Sequence, residues 1–253
     1  MHQNEHPHHH KHTFWLLGGL FLFFLVLNVM HLPTFLEKIG FASEKEARCQ
    51  TKDAGYRNTE LSAEVRTEDL LSRMTMHEKI GQLALVEKNG LTTLDDIRTY
   101  GLGGLLSGSG SRPVQNTPEA WLEMVTTYQT KAKETCLGIP LLYGIDAIHG
   151  HGGVEGATVF PHALGLSATR DLTLITRMAD ATAKEMLATG IHWNFAPSLD
   201  VAKDMRWGRV YETFGSDPQV ASDAGAAYIK GIQTIQDGYP QALATPKHFV
   251  GNG

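Results

Sequence analysis

Along residues 56–253, short apolar runs alternate with helix-length stretches of mixed polarity. Residues 139–143 (IPLLY) form one such run. It stops at Gly144, and Asp146, His149 and His151 follow at once. A buried strand of a parallel sheet has that pattern, and α/β proteins place their ligands in the polar loop at its carboxyl end. The pattern recurs twice. Residues 193–195 lead through Ala196 and Pro197 to Asp200 and then to 206–212, and residues 242–245 lead to Lys247 and His248. Three strand ends that deliver Asp, Arg, Lys and His predict one polar pocket.

The segments between these runs read as helices. Residues 67–74 carry apolar side chains at helical spacing, and Thr75 with Glu78 three residues on is a capping-box signature that opens a helix through Ile80 and Leu83. Residues 94–100 form a short helical pattern, and 101–106 (GLGGLL) a buried strand closed by the loop 107–112. Thr117 before Pro118 marks a helix start, with the helix running to about Cys136. Residues 171–188 predict a helix capped by Gly190, 191–195 a strand, 216–235 a helix and 242–245 the last strand.

That order predicts parallel βα units of an α/β protein. A doubly wound sheet and a (β/α)8 TIM-type barrel both fit. No glycine-rich phosphate loop follows the first strand, which favours the barrel. Only about four or five units are legible, whereas a full barrel has eight strands and typically about 250 residues of its own. The barrel is therefore expected to be incomplete and the chain truncated, with Gly251, Asn252 and Gly253 read as loop.

The amino-terminal part differs in kind. Residues 1–13 are polar and His-rich and read as a flexible tail, with incidental metal affinity. Residues 14–30 are almost wholly apolar, from Phe14 to Met30. This length approaches the ~18–20 residues of a membrane-spanning helix and exceeds the roughly 7–15 of a signal-peptide core. Residues 14–32 are therefore expected to be a signal anchor or signal peptide, with the uncleaved anchor preferred. Residues 33–55 read as linker and 56–253 as the domain. The domain would lie outside the cytoplasm, in a periplasmic or extracellular space.

Composition changes little. The 253 residues are 42 % hydrophobic and 19 % charged, with a net charge of −5. Nothing in that balance favours nucleic acid as a partner. Two cysteines, Cys49 and Cys136, are not a disulfide framework and are expected to be free thiols.

Among the candidate chemical groups, Asp146 directly follows a strand and reads as an acceptor for substrate hydroxyls, or else as a turn cap. His149 and His151 form a His-x-His pair that would suit a metallohydrolase. Their flanking glycines favour plain loop residues instead. Arg209 offers a planar fork of donors for vicinal hydroxyls or a carboxylate, and also has Glu212 or Asp200 as an internal partner. Lys247 and His248 are adjacent, so both reach one ligand only if the strand has just ended.

The runs LLSRMTMHEKIGQL, GLGGLLSG, YGIDAIHGHGGVEGATVFPHALGLSATRD, ATGIHWNFAPSLDV, RWGRVYETFGSDP and ATPKHFVGNG, in this order, resemble the amino-terminal barrel of the family three glycoside hydrolases, the β-glucosidase and β-glucan exohydrolase group. The resemblance implies a retaining exo-acting enzyme that removes glucose from non-reducing ends of β-linked glucans or oligosaccharides, with no cofactor. It also implies that Asp146, Arg209, Lys247 and His248 hold the hydroxyls of the terminal sugar. The N-acetylhexosaminidase branch fits less well, because Asn252 stands where its motif has a second His. In the family the nucleophilic Asp comes from a later strand and the acid/base Glu usually from a second domain. Both are expected beyond Gly253, so no catalytic residue is assigned here and this chain alone is expected to be inactive. The alternative is a non-catalytic, membrane-tethered sugar-binding module.

Overall fold

The computed structural model describes residues 54–108, 110–249 and 252–253. The His-rich tail, the apolar run 14–30 and most of the linker lie outside the described residues. The chain divides into two units, Met1–Leu70 and Leu71–Gly253. In the first, a 3-10 turn at Gly55–Arg57 is tied by Tyr56 N–H to Asp69 Oδ2 at 2.9 Å, and Arg66 Nε donates to the Tyr56 carbonyl at 2.9 Å. Both tethers reach α1 (Ala63–Arg73), which begins four residues before the run read as helical.

The boundary falls inside α1, and α2 (Met76–Gln82) is the first helix wholly within the second unit. Its predicted capping box is present. Thr75 Oγ1 accepts from Glu78 N–H at 3.2 Å, and Glu78 Oε2 accepts from Thr75 N–H at 2.9 Å. Five strands then form one parallel sheet: β1 (Leu85–Glu87), β2 (Gly104–Ser107), β3 (Leu142–Ile145), β4 (Trp193–Asn194) and β7 (Leu243–Ala244). Between them lie α3 (Asp95–Tyr100), α4 (Pro118–Lys133), α5 (Ala163–Ala168), α6 (Leu172–Ala188) and α7 (Pro218–Ile232). A small antiparallel hairpin, β5 (Ile235–Gln236) with β6 (Tyr239–Pro240), leads into β7.

The strand order β1-β2-β3-β4-β7 runs in one direction without reversal. A doubly wound sheet reverses direction at a switch point. The arrangement is thus the arc of an incomplete α/β barrel, as expected. The carboxyl ends of all five strands therefore lie along the same rim.

Close approach sets the spacing of the elements. The Gly103 amide donates to the Gly81 carbonyl at 2.9 Å, and a Cβ on Gly103 would stand 2.1 Å from the Gln82 carbonyl oxygen. Helices α6 and α7 meet through small residues. A Cβ on Gly231 would lie 2.3 Å from the Thr176 carbonyl oxygen and 2.6 Å from Ala179 Cβ. Around these contacts the core gathers Trp121, Val125, Tyr143, Ile175, Met186, Ile191 and Tyr228, all buried.

Several points differ from the sequence expectations, among them the unexpected helix α5, the β5–β6 hairpin and the earlier end of α7 at Ile232. β1 falls where the sequence pattern predicts no element, because three residues are too few to show alternation. The first strand run, 101–106, begins later, at Gly104; Gly101 is the left-handed cap of α3 with φ +60. Cys136 is not a free thiol but is disulfide-bonded. It lies just past the end of α4, where the expected helix overran by three residues. The other cysteine of the sequence, Cys49, is outside the described residues. Among those residues no helix is long and apolar enough to cross a membrane.

Candidate functional site

The rim of the sheet carries a continuous array of charged and polar side chains. Asp146 follows β3 directly, and its Oδ1 lies 2.5 Å from Lys247 Nζ. Lys247 comes shortly after β7, past the end of the regular strand. Its amide donates to the Pro197 carbonyl at 2.9 Å, and its carbonyl accepts from Leu199 N–H at 2.6 Å. The segment after β4 thus clamps the segment after β7, and the condition set by alternation is met: the strand has ended before the Lys-His pair. The Lys247–His248 peptide is cis.

His248 continues the array. Its Nδ1 lies 2.8 Å from Asp200 Oδ2, its backbone N–H donates to Asp200 Oδ1 at 3.3 Å, and its Nε2 lies 3.2 Å from Arg209 Nη2. Arg209 in turn forms a two-pronged pair with Glu212, Nε to Oε1 at 2.7 Å and Nη2 to Oε2 at 2.6 Å. Of the two partners the sequence offers Arg209, Glu212 takes the guanidinium and Asp200 takes His248. The structure therefore brings Asp146, Lys247, His248 and Arg209 together, with Asp200 and Glu212 behind them.

The electrostatics follow from the pairing. Burial alone would raise the Asp200 carboxyl. Hydrogen bonds from Ser198 Oγ, at 2.7 Å, and from His248 outweigh it and hold the group below the usual carboxylate range. The Arg209 guanidinium holds Glu212 low as well. Asp146 differs, since its side chain is 47 % exposed while Lys247 is only 16 % exposed. It presents an accessible carboxylate edge beside a cleft of about 520 Å³ between the ends of β2 and β3, lined by Ser107, Ser111, Arg112, Asn116 and Trp121.

Asp146 is held in place by residues that sequence reasoning passed over. Asn194, the last residue of β4 and fully buried, brackets the backbone of Ala147. Its Oδ1 accepts the Ala147 N–H at 3.0 Å, and its Nδ2 donates to the Ala147 carbonyl at 3.0 Å. Tyr228 on α7 donates its hydroxyl to the same carbonyl at 2.9 Å and lies 3.1 Å from Asn194 Nδ2. A polar residue inside the apolar run WNF was a visible signal for Asn194. Tyr228 sits on an apolar helix face and gave none.

The two histidines of the β3 loop part company. His149 Nδ1 lies 2.9 Å from the Phe160 carbonyl, and its ring packs on His162 at a centroid distance of 4.2 Å. His162 meets Tyr211 edge-on at 4.7 Å. His151 points inward, almost fully buried, with Nε2 at 3.0 Å from Thr189 Oγ1. The Thr189 hydroxyl donates to the Met186 carbonyl at 2.7 Å, so Nε2 must be the donor and Nδ1 is bare. Nδ1 is buried without a partner. Burial lowers this imidazole to about 4, against a weak opposing pull from Glu185. Among the described residues no group of three or more His, Cys, Asp or Glu side chains is placed to hold a metal ion.

Comparison with known proteins gives the family of the domain. Residues 75–253 match the model of the Glycosyl hydrolase family 3 N terminal domain. A lysosomal beta glucosidase of Dictyostelium discoideum is 37 % identical over 207 residues, covering 73 % of this chain and 25 % of that protein. A periplasmic beta-glucosidase of Salmonella typhimurium is 30 % identical over 187 residues, with 73 % and 23 % covered. Among solved structures, the exo-1,3/1,4-beta-glucanase of a Pseudoalteromonas species superposes with a TM-score of 0.70 at 40 % identity, covering 74 % of this chain and 24 % of its own. A mutant beta-glucosidase from Listeria innocua, solved in complex with laminaribiose, gives 0.57 at 30 % identity, with 75 % and 27 % covered. The chain spans about a quarter of the length of these relatives.

Proposed function

The chain belongs to glycosyl hydrolase family 3 through its N-terminal domain, and from that premise we propose that it supplies the sugar-holding rim of a retaining β-glucosidase-type enzyme acting on β-linked glucosides or oligosaccharides. The observation that carries this reading is the array itself. Side chains from the ends of three separate strands meet in one line, Asp146–Lys247 and His248–Arg209–Glu212. A pyranose presents hydroxyls on successive ring carbons, each able to donate and accept. An accessible carboxylate beside an ammonium, followed by an imidazole beside a guanidinium, offers acceptor and donor in turn.

The roles follow from accessibility. Asp146 accepts from two hydroxyls through its exposed edge. Lys247 and Arg209 donate, and their charges stay balanced by Asp146 and Glu212 when no sugar is present. Hydrogen bonds of this kind strengthen as the ring distorts toward the transition state, so they lower the barrier as well as hold the substrate. Bond breaking needs two further carboxyls about 5–5.5 Å apart. Each carboxylate of the array is already engaged: Asp146 by Lys247, Asp200 by Ser198 and His248, Glu212 by Arg209. None has the setting of an unpaired nucleophile, and we place the nucleophile and the acid/base outside these residues. We place the domain at residues 56–253, and we assign the run from Phe14 to Met30 to export or anchoring, with the domain outside the cytoplasm.

The test is a titration of the chain with glucose and with laminaribiose by calorimetry, alongside an assay with an aryl β-glucoside. Saturable binding that Asp146→Ala abolishes, without hydrolysis, is the expected result. Hydrolysis by this chain would refute the placement of the bond-breaking groups. Binding unchanged in Asp146→Ala would refute the assignment of the array.

A further inference from the structure

We infer that Asp200 is a positioning residue that fixes His248 in one tautomer, with the proton on Nδ1 and the lone pair of Nε2 turned to the Arg209 guanidinium. The two ring nitrogens are constrained independently. On one side lies the Asp200 carboxylate, 2.8 Å from Nδ1, buried, and already accepting the Ser198 hydroxyl. A carboxylate held ionised only accepts, so Nδ1 must donate. On the other side lies Arg209 Nη2, 3.2 Å from Nε2. A guanidinium only donates, so Nε2 must accept. A proton on Nε2 would aim one donor at another. Both neighbours therefore select the same tautomer, and the second Asp200 oxygen, 3.3 Å from the His248 amide, fixes the backbone that carries the ring.

This makes the adjacent pair complementary. Lys247 can only donate and His248 can only accept. A hydroxyl that takes the place of Arg209 at Nε2 while Lys247 donates to its oxygen finds both senses satisfied, whereas a methyl ether or a fluorine at the same carbon has no proton to give Nε2 and leaves it to Arg209. His248 then acts as a reader of free hydroxyl groups, and Asp200, which touches no ligand, sets what it reads. The consequence for ligands rests on the sugar-holding reading above. The tautomer does not, and it can be measured with no sugar present.

The measurement is the long-range 1H–15N correlation spectrum of the unliganded chain, with the ring of His248 assigned by its loss in His248→Gln. The expected pattern is a pyrrole-type Nδ1 and a pyridine-type Nε2. Asp200→Ala, which leaves Arg209 as the remaining selector, should raise Nε2–H to a measurable share of the ring, and Arg209→Lys, which still offers only donors, should leave Nδ1 protonated. A wild-type ring protonated on Nε2 overturns the inference, as does an unchanged pattern in a folded Asp200→Ala. If that variant fails to fold, the wild-type spectrum decides alone. The expected loss of β-glucoside affinity in Asp200→Ala is about tenfold, the value of one hydrogen bond. The expected tautomer in a chain that binds no glucoside would sink the proposed function and leave this inference standing.

Discussion

The buried imidazole of His151 makes stability fall as the solution turns mildly acidic. In the unfolded chain it takes up a proton near the ordinary value of 6.5; in the native protein, burial delays this to about 4. Between those values the unfolded state binds one proton more, so the native state is progressively disfavoured as pH falls through the window. At about 1.4 kcal/mol per pH unit, the gap sets an upper bound of about 3.5 kcal/mol. Protonation would also put a second N–H on Nδ1, which has no acceptor. The assay is urea unfolding followed by tryptophan fluorescence, at about pH 7 and about pH 4, on the wild type and on His151→Gln. Glutamine cannot titrate and can still donate to Thr189. Asp200 and Glu212, both held low, begin to lose their stabilisation only toward the acid end of this window and do so alike in both proteins, so the difference between the two isolates the histidine. The wild type should lose about 2–3 kcal/mol more than the variant across the window. Parallel curves would show that the ring has access to a proton or a partner in the native state, and the reasoning from burial would fail.

Three other outcomes follow from the geometry. Asn194→Ala strips both backbone groups of Ala147 of a buried partner, and thermal unfolding should show a loss of about 2–4 kcal/mol, with sugar affinity falling through displacement of Asp146. Gly103→Ala drives a methyl group against a backbone carbonyl that cannot move aside, so urea denaturation should show a cost of about 1–3 kcal/mol; an unchanged midpoint would mean that α2 can shift. Asp146→Asn should leave stability within about 1 kcal/mol, since the pair with Lys247 is solvent-facing on the Asp side, yet calorimetry should show at least about a tenfold loss of glucoside affinity.

What could be read from the sequence was set by how local the cause is. The helix starts at Thr75, Thr117, Asp171 and Asp217 were legible because a cap is a side chain a few residues from the amide it satisfies. The parallel sheet was legible because apolar runs recur with helices between them. β1 escaped, being three residues long, and so did the β5–β6 hairpin. Lys247 and His248 were found because polar residues after an apolar run are conspicuous. Their partners were harder. Nothing in the chain says that Asp200 serves His248 and not Arg209, since that depends on how the segment after β4 lies against the segment after β7. The tie from Asn194 and Tyr228 to Ala147 spans 47 and 81 residues and is a property of the folded arc alone.

That long-range tie also bears on engineering. A loop carrying Asp146 could be grafted onto another (β/α) scaffold with its sequence intact, and it would arrive without the amide and phenol that seat its first turn. The recipient would have to import a polar residue at the end of the neighbouring strand, with a hydroxyl from the helix behind it. The placement of residue 146 is thus inherited from two other places in the chain, and directed evolution confined to the loop would leave both of them untouched.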